Sequence, residues 1–283
     1  MPAGTARNGD RGVHTLERSL MIYGAGDSRK PVRLEHLSWT RIRDLQAGGC
    51  DMLLLPVGAT EQHGPHLPIN TDTVIATAAC DYASAVTGVP VLPALSYTVS
   101  VGHTEKWPGT FSIFHETFIH TLREIAAWAV ATGWKRLLLV NSHFGNDASL
   151  RVAVDRLRFD CVNRLQIATR NTFNLTPSIW EYFISDAADL HANKAETDLM
   201  LHLAPETVDM AAAEDDPDRT TETIFNYMVA NTSRNGVTGN PTEGTAERGK
   251  LLFEEIGEAL AAIVEKARHE TAPVEWQRTA GVF

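Results

Sequence analysis

Three short polar clusters in this sequence hold the residue types from which a metal site can be built. The first contains Glu61, His63 and His66, and Asp72 follows after a proline-containing turn. Glu61 and His63 are two residues apart, so in an extended segment their side chains point the same way. Carboxylates and imidazoles together suit Zn²⁺, Mn²⁺ or Fe²⁺. These residues could equally cap a helix and line a solvated loop, and their spacing leaves both interpretations open.

The second cluster runs from Asn141 to Asp147 and contains His143, three residues after an apolar run of strand length. A single histidine in a loop is more often a hydrogen-bonded loop residue than a ligand. A second His/carboxylate cluster at an equivalent strand end favours a ligand role here. Ser142 and Gly145 are small enough to let the backbone pass close to a bound group.

The third cluster surrounds His191 and includes Asn193 and Glu196. If a helix begins at Lys194, Glu196 lies in its first turn, where the helix dipole favours a carboxylate that can also act as a ligand. The alternative is a capping box, with Asn193 as the N-cap and Glu196 at the third helical position. The sequence supports the two interpretations about equally.

A fourth polar stretch begins at His103 and Glu105 and ends in a Pro-Gly-Thr turn signal. Its side chains could reach a pocket, and an exposed loop also explains them. No G-x-S-x-G elbow, P-loop or GxGxxG sequence is present. None of the three cysteines is flanked by a motif that activates a thiol. A serine, cysteine or nucleotide-dependent mechanism therefore lacks a supporting motif.

The elements that must position these clusters follow a β-α-β-α order. Strands are predicted at residues 52–57, 89–95, 136–140 and 165–169, the second of them weakened by prolines. Helices are predicted at residues 73–86, 116–132, 148–159, 194–203 and 245–269. This order predicts a single α/β domain, with a mostly parallel sheet covered by helices on both faces. Ligands bind at the carboxyl ends of strands in such sheets, and the first two clusters begin there.

Composition narrows the class of protein. Hydrophobic residues make up 43% and charged residues 21% of the 283 residues, which is typical of a globular protein. A formal charge of −10 argues against nucleic acid or an anionic membrane as partner. Three cysteines without a CxxC pair, and no apolar run long enough to span a membrane, indicate a cytoplasmic protein. Residues 1–20 are predicted to be a polar tail, and residues 21–283 the domain.

The longest motif resembles the creatininase (creatinine amidohydrolase) family. Residues 56–72 (PVGATEQHGPHLPINTD) match the family pattern P-x-G-[S/A]-x-E-Q-H-G-P-H-L-P-x-x-T-D. Segments at residues 103–110, 141–146, 191–197 and 236–241 also resemble family motifs, in the family's order. The resemblance implies a two-metal amidohydrolase of small, often cyclic or formylated amides, assembled as a homo-oligomer, commonly a hexamer.

Carried over by this resemblance, Glu61, Asp72 and His143 would hold one metal ion. His63, the bridging Asp72 and a further carboxylate would hold the other. The metals would be zinc, with manganese or iron as alternatives, and would activate a water between them. His191 would act as the general acid that protonates the departing nitrogen.

Three departures from creatinine hydrolases bear on the substrate. Gly145 stands where those enzymes place the further metal-binding carboxylate, and other branches of the family use the residue that matches Glu196. Leu190 and Ala187 stand where they place a Glu and a Trp that face the substrate. Creatinine is therefore expected to be a poor substrate.

The remaining assignments complete the hypothesis. The catalytic set is His191 and Glu196, the substrate-binding set is His103, Glu105, Trp107 and Trp180, and the residues that orient the ligands are His66, Asn141 and Asn146. Two alternatives stay open for function. One is a metal-dependent peptidase or lactone hydrolase at the same site, and the other is a catalytically silent, metal-binding oligomeric scaffold.

Overall fold

A parallel three-stranded sheet lies at the centre of the computed structural model, which describes residues 30–276. Its strands are β1 (Met52–Val57), β2 (Arg136–Asn141) and β3 (Gln166–Asn171), in the order β1-β2-β3. All three run parallel and in step along their whole length. The predicted tail at residues 1–20 lies outside the described residues.

Helices of very different length surround this sheet. They are α1 (Trp39–Ala47), α2 (Thr71–Thr87), α3 (His115–Ala131), α4 (Asp147–Asp160), α5 (Pro177–Phe183), α6 (Lys194–Leu203), α7 (Val229–Thr232) and α8 (Ala246–Ala267). Short 3-10 turns connect several of them. Within the described residues, no helix is long and apolar enough to cross a membrane.

Alternation along the strands produces two hydrophobic cores, one on each face of the sheet. Leu54 and Val140 point into the core formed with α2, α6 and α8. Leu53 and Leu139 point into the core formed with α3 and α4. Neighbouring side chains of a strand point to opposite faces, so a continuous apolar run such as MLLLPV is what a strand covered on both faces needs. The predicted α/β fold with a parallel sheet between helical layers is confirmed.

The predicted strand at residues 89–95 is wrong as a regular strand. This segment runs beside β1 but forms only isolated bridges, from Val91 to Leu54 and from Leu95 to Val57. Pro90 has no backbone N–H to donate, which interrupts the ladder.

Three short helices were not predicted. They are α1, α5 and α7, and the last of them has only four residues. No residue of α1 is buried, although Ile42 and Leu45 pack against the core formed with α3 and α4. Helix α5 has only seven residues, and it begins with a Thr176 N-cap whose side chain accepts a hydrogen bond from Ile179 N.

The sheet places its polar clusters at one edge. The chain leaves β1 at Val57 and passes directly against the start of α2, where a Cβ on Gly58 would overlap the backbone of Thr73. It leaves β2 at Asn141 and turns at once into the next loop. Because β1 and β2 are parallel neighbours, both loops lie at the same carboxyl edge of the sheet.

Candidate metal centre

Five predicted ligands meet at this carboxyl edge, although they come from four separate segments. Glu61 and His63 lie in the loop after β1, and Asp72 lies in the first turn of α2. His143 follows β2, and Glu196 lies in the first turn of α6. None of the five is more than 5% exposed to solvent. The fold thus brings together every residue that the resemblance assigned to metal binding.

One group of ligand atoms belongs to Glu61, Asp72 and His143. His143 Nε2 lies 3.1 Å from Glu61 Oε2, and His143 Nδ1 lies 3.4 Å from Asp72 Oδ2. One ligand atom from each of the three residues lies within 4.8 Å of the others, which is compatible with one shared metal ion.

A second group consists of His63, Asp72 and Glu196. His63 Nε2 lies 3.4 Å from Asp72 Oδ1 and 4.0 Å from Glu196 Oε1. Asp72 therefore turns one oxygen toward His63 and the other toward His143. This is the arrangement that a bridging carboxylate between two ions requires.

The residues present fit divalent cations. Glu61, Asp72 and Glu196 each have at least one buried carboxylate oxygen without a hydrogen-bond partner of normal geometry. The Nε2 atom of His63 is also buried without such a partner. Three buried carboxylates beside two imidazoles carry excess negative charge, and burying such charge is costly unless it is paired or bound to metal. Nitrogen and oxygen donors of this kind suit zinc or manganese.

The protonation of the cluster shows how strongly its charges interact. Burial by itself lowers the pKa of His63, but the neighbouring carboxylates of Asp72, Glu196 and Glu61 outweigh it and raise that pKa to about 10. Burial raises the pKa of Glu196 to about 7, against the opposing effect of His63. In the metal-free protein, protons therefore neutralise part of the negative charge. Binding a metal ion must displace them, since metal ligands bind in their deprotonated form.

His191 faces this cluster with its Nδ1 atom. That atom lies 3.3 Å from Glu61 Oε1, while Nε2 lies 2.7 Å from the backbone oxygen of Gln62. A carbonyl can only accept, so Nε2 carries the hydrogen and Nδ1 presents its lone pair. Burial, followed by the nearby His103 and His63, holds the pKa of His191 well below its usual range. The ring is therefore neutral at pH 7.

The three residues predicted to orient the ligands all contact ligand-bearing segments. Asn141 accepts a hydrogen bond from His143 N at 3.2 Å and donates to His143 O at 2.8 Å. Asn146 in turn donates to Asn141 Oδ1 at 3.1 Å. His66 Nε2 lies 2.9 Å from Thr197 Oγ1, next to Glu196 in the sequence.

The residues predicted to bind substrate are not equivalent in the structure. His103 belongs to the buried cluster, because its Nδ1 lies 3.1 Å from Glu61 Oε1. Trp180 is 36% exposed, and its ring centroid lies 6.2 Å from that of Phe144, which follows His143. Glu105 is exposed, with a left-handed φ of 74°, and the Trp107 ring packs under the ammonium group of Lys106. Neither Glu105 nor Trp107 joins the buried cluster.

Gln62 was missed by sequence reasoning, although it is buried between the two histidines. Its Nε2 lies 3.1 Å from His191 Nε2, and 3.3 Å from both His103 Nδ1 and the backbone oxygen of Gly236. Gly236 has a φ of 84°, and a Cβ there would overlap the Gln62 side chain. The only sequence signal was the position of Gln62 between two predicted ligands.

The departures from creatinine hydrolases have structural consequences. A Cβ at Gly145 would lie 2.5 Å from His143 Nε2 and 2.7 Å from Val99 O, so this backbone leaves no room for a side chain there. Leu190 and Ala187 are buried in the core shared by α2, α6 and α8. Neither of them presents a polar or stacking group to a ligand.

The comparisons with known proteins agree with this site. A family model described as creatininase, creatinine amidohydrolase, matches residues 35–264. A creatinine amidohydrolase of Pseudomonas putida is 29% identical over 253 residues, covering 82% of this chain and 95% of that protein. A mycofactocin precursor peptide peptidase of Mycolicibacterium smegmatis is 33% identical over 216 residues, covering 72% and 81% respectively.

Solved structures extend the likeness to the fold. A creatininase variant described as Zn–Zn type superposes with a TM-score of 0.73 at 26% identity, covering 85% of this chain and 100% of that one. A parallel sheet with a carboxylate–histidine cluster at its carboxyl edge defines an α/β protein built to bind metal. Within that class, the chain belongs to the creatininase family.

Proposed function

We propose that this protein is a hydrolase that uses two divalent metal ions to cleave a C–N bond of a small amide. The observation that carries the proposal is the position of Asp72, whose two oxygens face two separate ligand groups. Glu61 and His143 complete the first group, and His63 and Glu196 complete the second. Zinc is the expected metal, because the donors are imidazoles and carboxylates and a similar structure is described as Zn–Zn type. Manganese or iron would suit the same donors.

When bound, the metal ions would supply a water of lowered pKa and a polarised carbonyl, which are the two aids that an unreactive amide needs. The protein's own part is to orient its ligands and to move protons. The neutral Nδ1 of His191 can accept a proton beside Glu61 and later deliver it to the departing nitrogen. Gln62 holds the opposite edge of the ring, so that Nδ1 continues to face the cluster.

A peptide bond in a small peptide is the second candidate for the scissile bond. Two observations favour it over creatinine. The peptidase relative is 33% identical, compared with 29% for the creatinine amidohydrolase. Leu190 and Ala187 are buried here, so this chain lacks the polar and aromatic groups expected to hold creatinine.

Assembly and location rest on the family resemblance and on composition. We propose a homo-oligomer, with six chains as the expected number, working in the cytoplasm on a small molecule. Large apolar side chains such as Trp39, Trp128 and Phe114 are 70% or more exposed, which suits contact with further copies of the chain. Light scattering that shows a monomer at micromolar concentration would refute the oligomer.

The proposal is tested with protein that is stripped by a chelator and then reloaded with zinc or manganese. We expect close to two metal ions per chain, and metal-dependent turnover within a panel of cyclic ureides, lactams, formamides and short peptides. Asp72→Asn should lose both ions, whereas Asp51→Asn, which breaks an ion pair with Arg136, should keep them.

Two outcomes count against this function. Protein that binds no stoichiometric metal after supplementation would refute the metal centre itself. Protein that binds two ions but turns over no member of the panel would favour the silent scaffold.

A further inference from the structure

Asn193 lies at the start of α6 and is fully buried. It is the N-cap of α6, since its Oδ1 accepts a hydrogen bond from Glu196 N at 3.2 Å. Its Nδ2 donates to Phe183 O and to Asp186 Oδ1, both at 2.8 Å. The side chain therefore does more than cap a helix, because it ties the start of α6 to Asp186.

The preceding residue, Ala192, has a left-handed backbone with a φ of 49° and is completely buried. A residue with a Cβ is disfavoured in this conformation, and such strain persists only where the surroundings enforce it. The turn leads directly into α6, where Asn193 Oδ1 accepts the hydrogen bond from Glu196 N. The strained turn therefore sets the start of the helix from which Glu196 faces His63, at 4.0 Å between Oε1 and Nε2.

Contacts on both sides enforce the turn. Before it, the backbone of His191 pairs with Thr238 through hydrogen bonds of 3.1 and 2.7 Å. After it, Asp186 Oδ2 accepts from Lys194 N at 3.1 Å and from Asn240 N at 2.8 Å. Asp186 thus joins the start of α6 to the segment that pairs with His191. Gly239 makes room for it, because a Cβ there would lie 2.5 Å from Asp186 Oδ2.

We propose that Asp186 is a positioning residue that holds Asn193 and the left-handed turn before it, and thereby fixes the first turn of α6, from which Glu196 faces the second metal group. Asp186 does not itself touch the ligand cluster, so it acts through Asn193 and the backbone of α6. The inference rests on the proposed metal centre and adds a residue to it.

The test compares Asp186→Asn with Asp218→Asn as a matched control. Asp218 accepts hydrogen bonds from Ala188 N at 3.0 Å and Asp189 N at 3.1 Å, so it braces the same segment without contacting the turn. Stripped proteins are titrated with Zn²⁺ in a calorimeter, and their melting temperatures are recorded. Both variants should melt lower than the wild type. Only Asp186→Asn should bind one of its two zinc ions about tenfold or more weakly, with the other unchanged.

A second substitution separates positioning from general loss of stability. Glycine tolerates the left-handed conformation without a Cβ penalty. Adding Ala192→Gly to Asp186→Asn should therefore recover part of the lost zinc affinity. If Asp186→Asn does not fold, Asn193→Ser takes its place, since serine keeps a capping oxygen but cannot donate to Phe183 and Asp186 together.

Each outcome decides the inference. Selective weakening of one zinc ion together with recovery by glycine supports it. Unchanged affinity for both ions in Asp186→Asn, or equal weakening in Asp218→Asn, overturns it while leaving the metal centre intact. Wild-type protein that binds fewer than two zinc ions overturns both this inference and the proposed function.

Discussion

His191 Nδ1 and Glu61 Oε1 lie 3.3 Å apart, and both atoms are hydrogen-bond acceptors when His191 is neutral. The imidazole hydrogen is on the other nitrogen, which donates to the backbone of Gln62. Two facing acceptors require a proton or a cation between them. The two lone pairs therefore face a common point, where a proton or a cation can be held.

The first prediction concerns that proton. His191→Gln keeps a side chain that can donate but removes the group that titrates. We expect kcat to fall by ~10²–10⁴, the usual contribution of general acid–base catalysis, with metal content unchanged. The measurements are steady-state kinetics and elemental analysis on the same samples. His202→Gln, in the last turn of α6, is the control and should stay near wild type. Loss of a metal ion in His191→Gln would show instead that His191 is a ligand.

The second prediction separates the two metal groups. Glu196→Gln should bind one ion normally and the other weakly, because this carboxylate belongs to the group of His63, Asp72 and Glu196 and not to the group that contains His143. Adding Gly145→Glu should not restore the lost site, since a Cβ there would collide with His143 and Val99. Zinc titration of both variants measures this. Full metal content and normal turnover in Glu196→Gln would rule out Glu196 as a ligand.

The third prediction concerns stability and pH in the loop that backs His191. Burial by itself would raise the pKa of Asp216, but hydrogen bonds from Arg219, Arg234 N and Ser233 lower it below its ordinary value. A carboxyl of lowered pKa stabilises the folded state above its unfolded pKa of roughly 3.9, and this contribution is lost as the pH falls through the folded pKa.

Asp216→Asn should therefore reduce the free energy of unfolding by about 1.5–3 kcal/mol at pH 7, the usual size for hydrogen bonds to a charged group. The difference from wild type should shrink at pH values well below 4. Urea unfolding at pH 7 and at a pH well below 4 measures this difference. Metal-free protein is used because loss of metal in acid would otherwise contribute to it. A difference that stays constant with pH would contradict the assignment.

The fourth prediction concerns creatinine. A site that lacks the groups a polar substrate needs discriminates strongly against that substrate. Leu190 and Ala187 are buried, so kcat/KM for creatinine should be below ~10⁴ M⁻¹s⁻¹, the lower end of the ordinary range for physiological substrates. A less polar or larger amide should be turned over faster. Steady-state assays on metal-loaded enzyme decide this. A kcat/KM for creatinine above ~10⁴ M⁻¹s⁻¹ would show that Leu190 and Ala187 do not determine specificity.

The sequence by itself determined the layers of the fold and predicted the candidate ligands that meet at its carboxyl edge. The central runs of β1 and β2 are continuously apolar because both faces of the sheet are covered, and that pattern is local. The long motif that starts at Pro56 identified the family and supplied Glu61, His63 and Asp72. Apolar periodicity and motif order are properties of residues that are close in the sequence, so they can be recognised without a tertiary structure.

Tertiary structure decided which loop residues meet. His103 contacts Glu61 whereas Glu105 is exposed, and Gln62 lies between His103 and His191. These positions depend on backbone angles in loops, where no periodic pattern applies. The role of Asp186 arises only when the segment around Asn240 folds back against α6. The left-handed φ of Ala192 is likewise imposed by long-range hydrogen bonds and not by its own preference. Contacts between segments far apart in the chain set these directions, and no local pattern in the sequence encodes them.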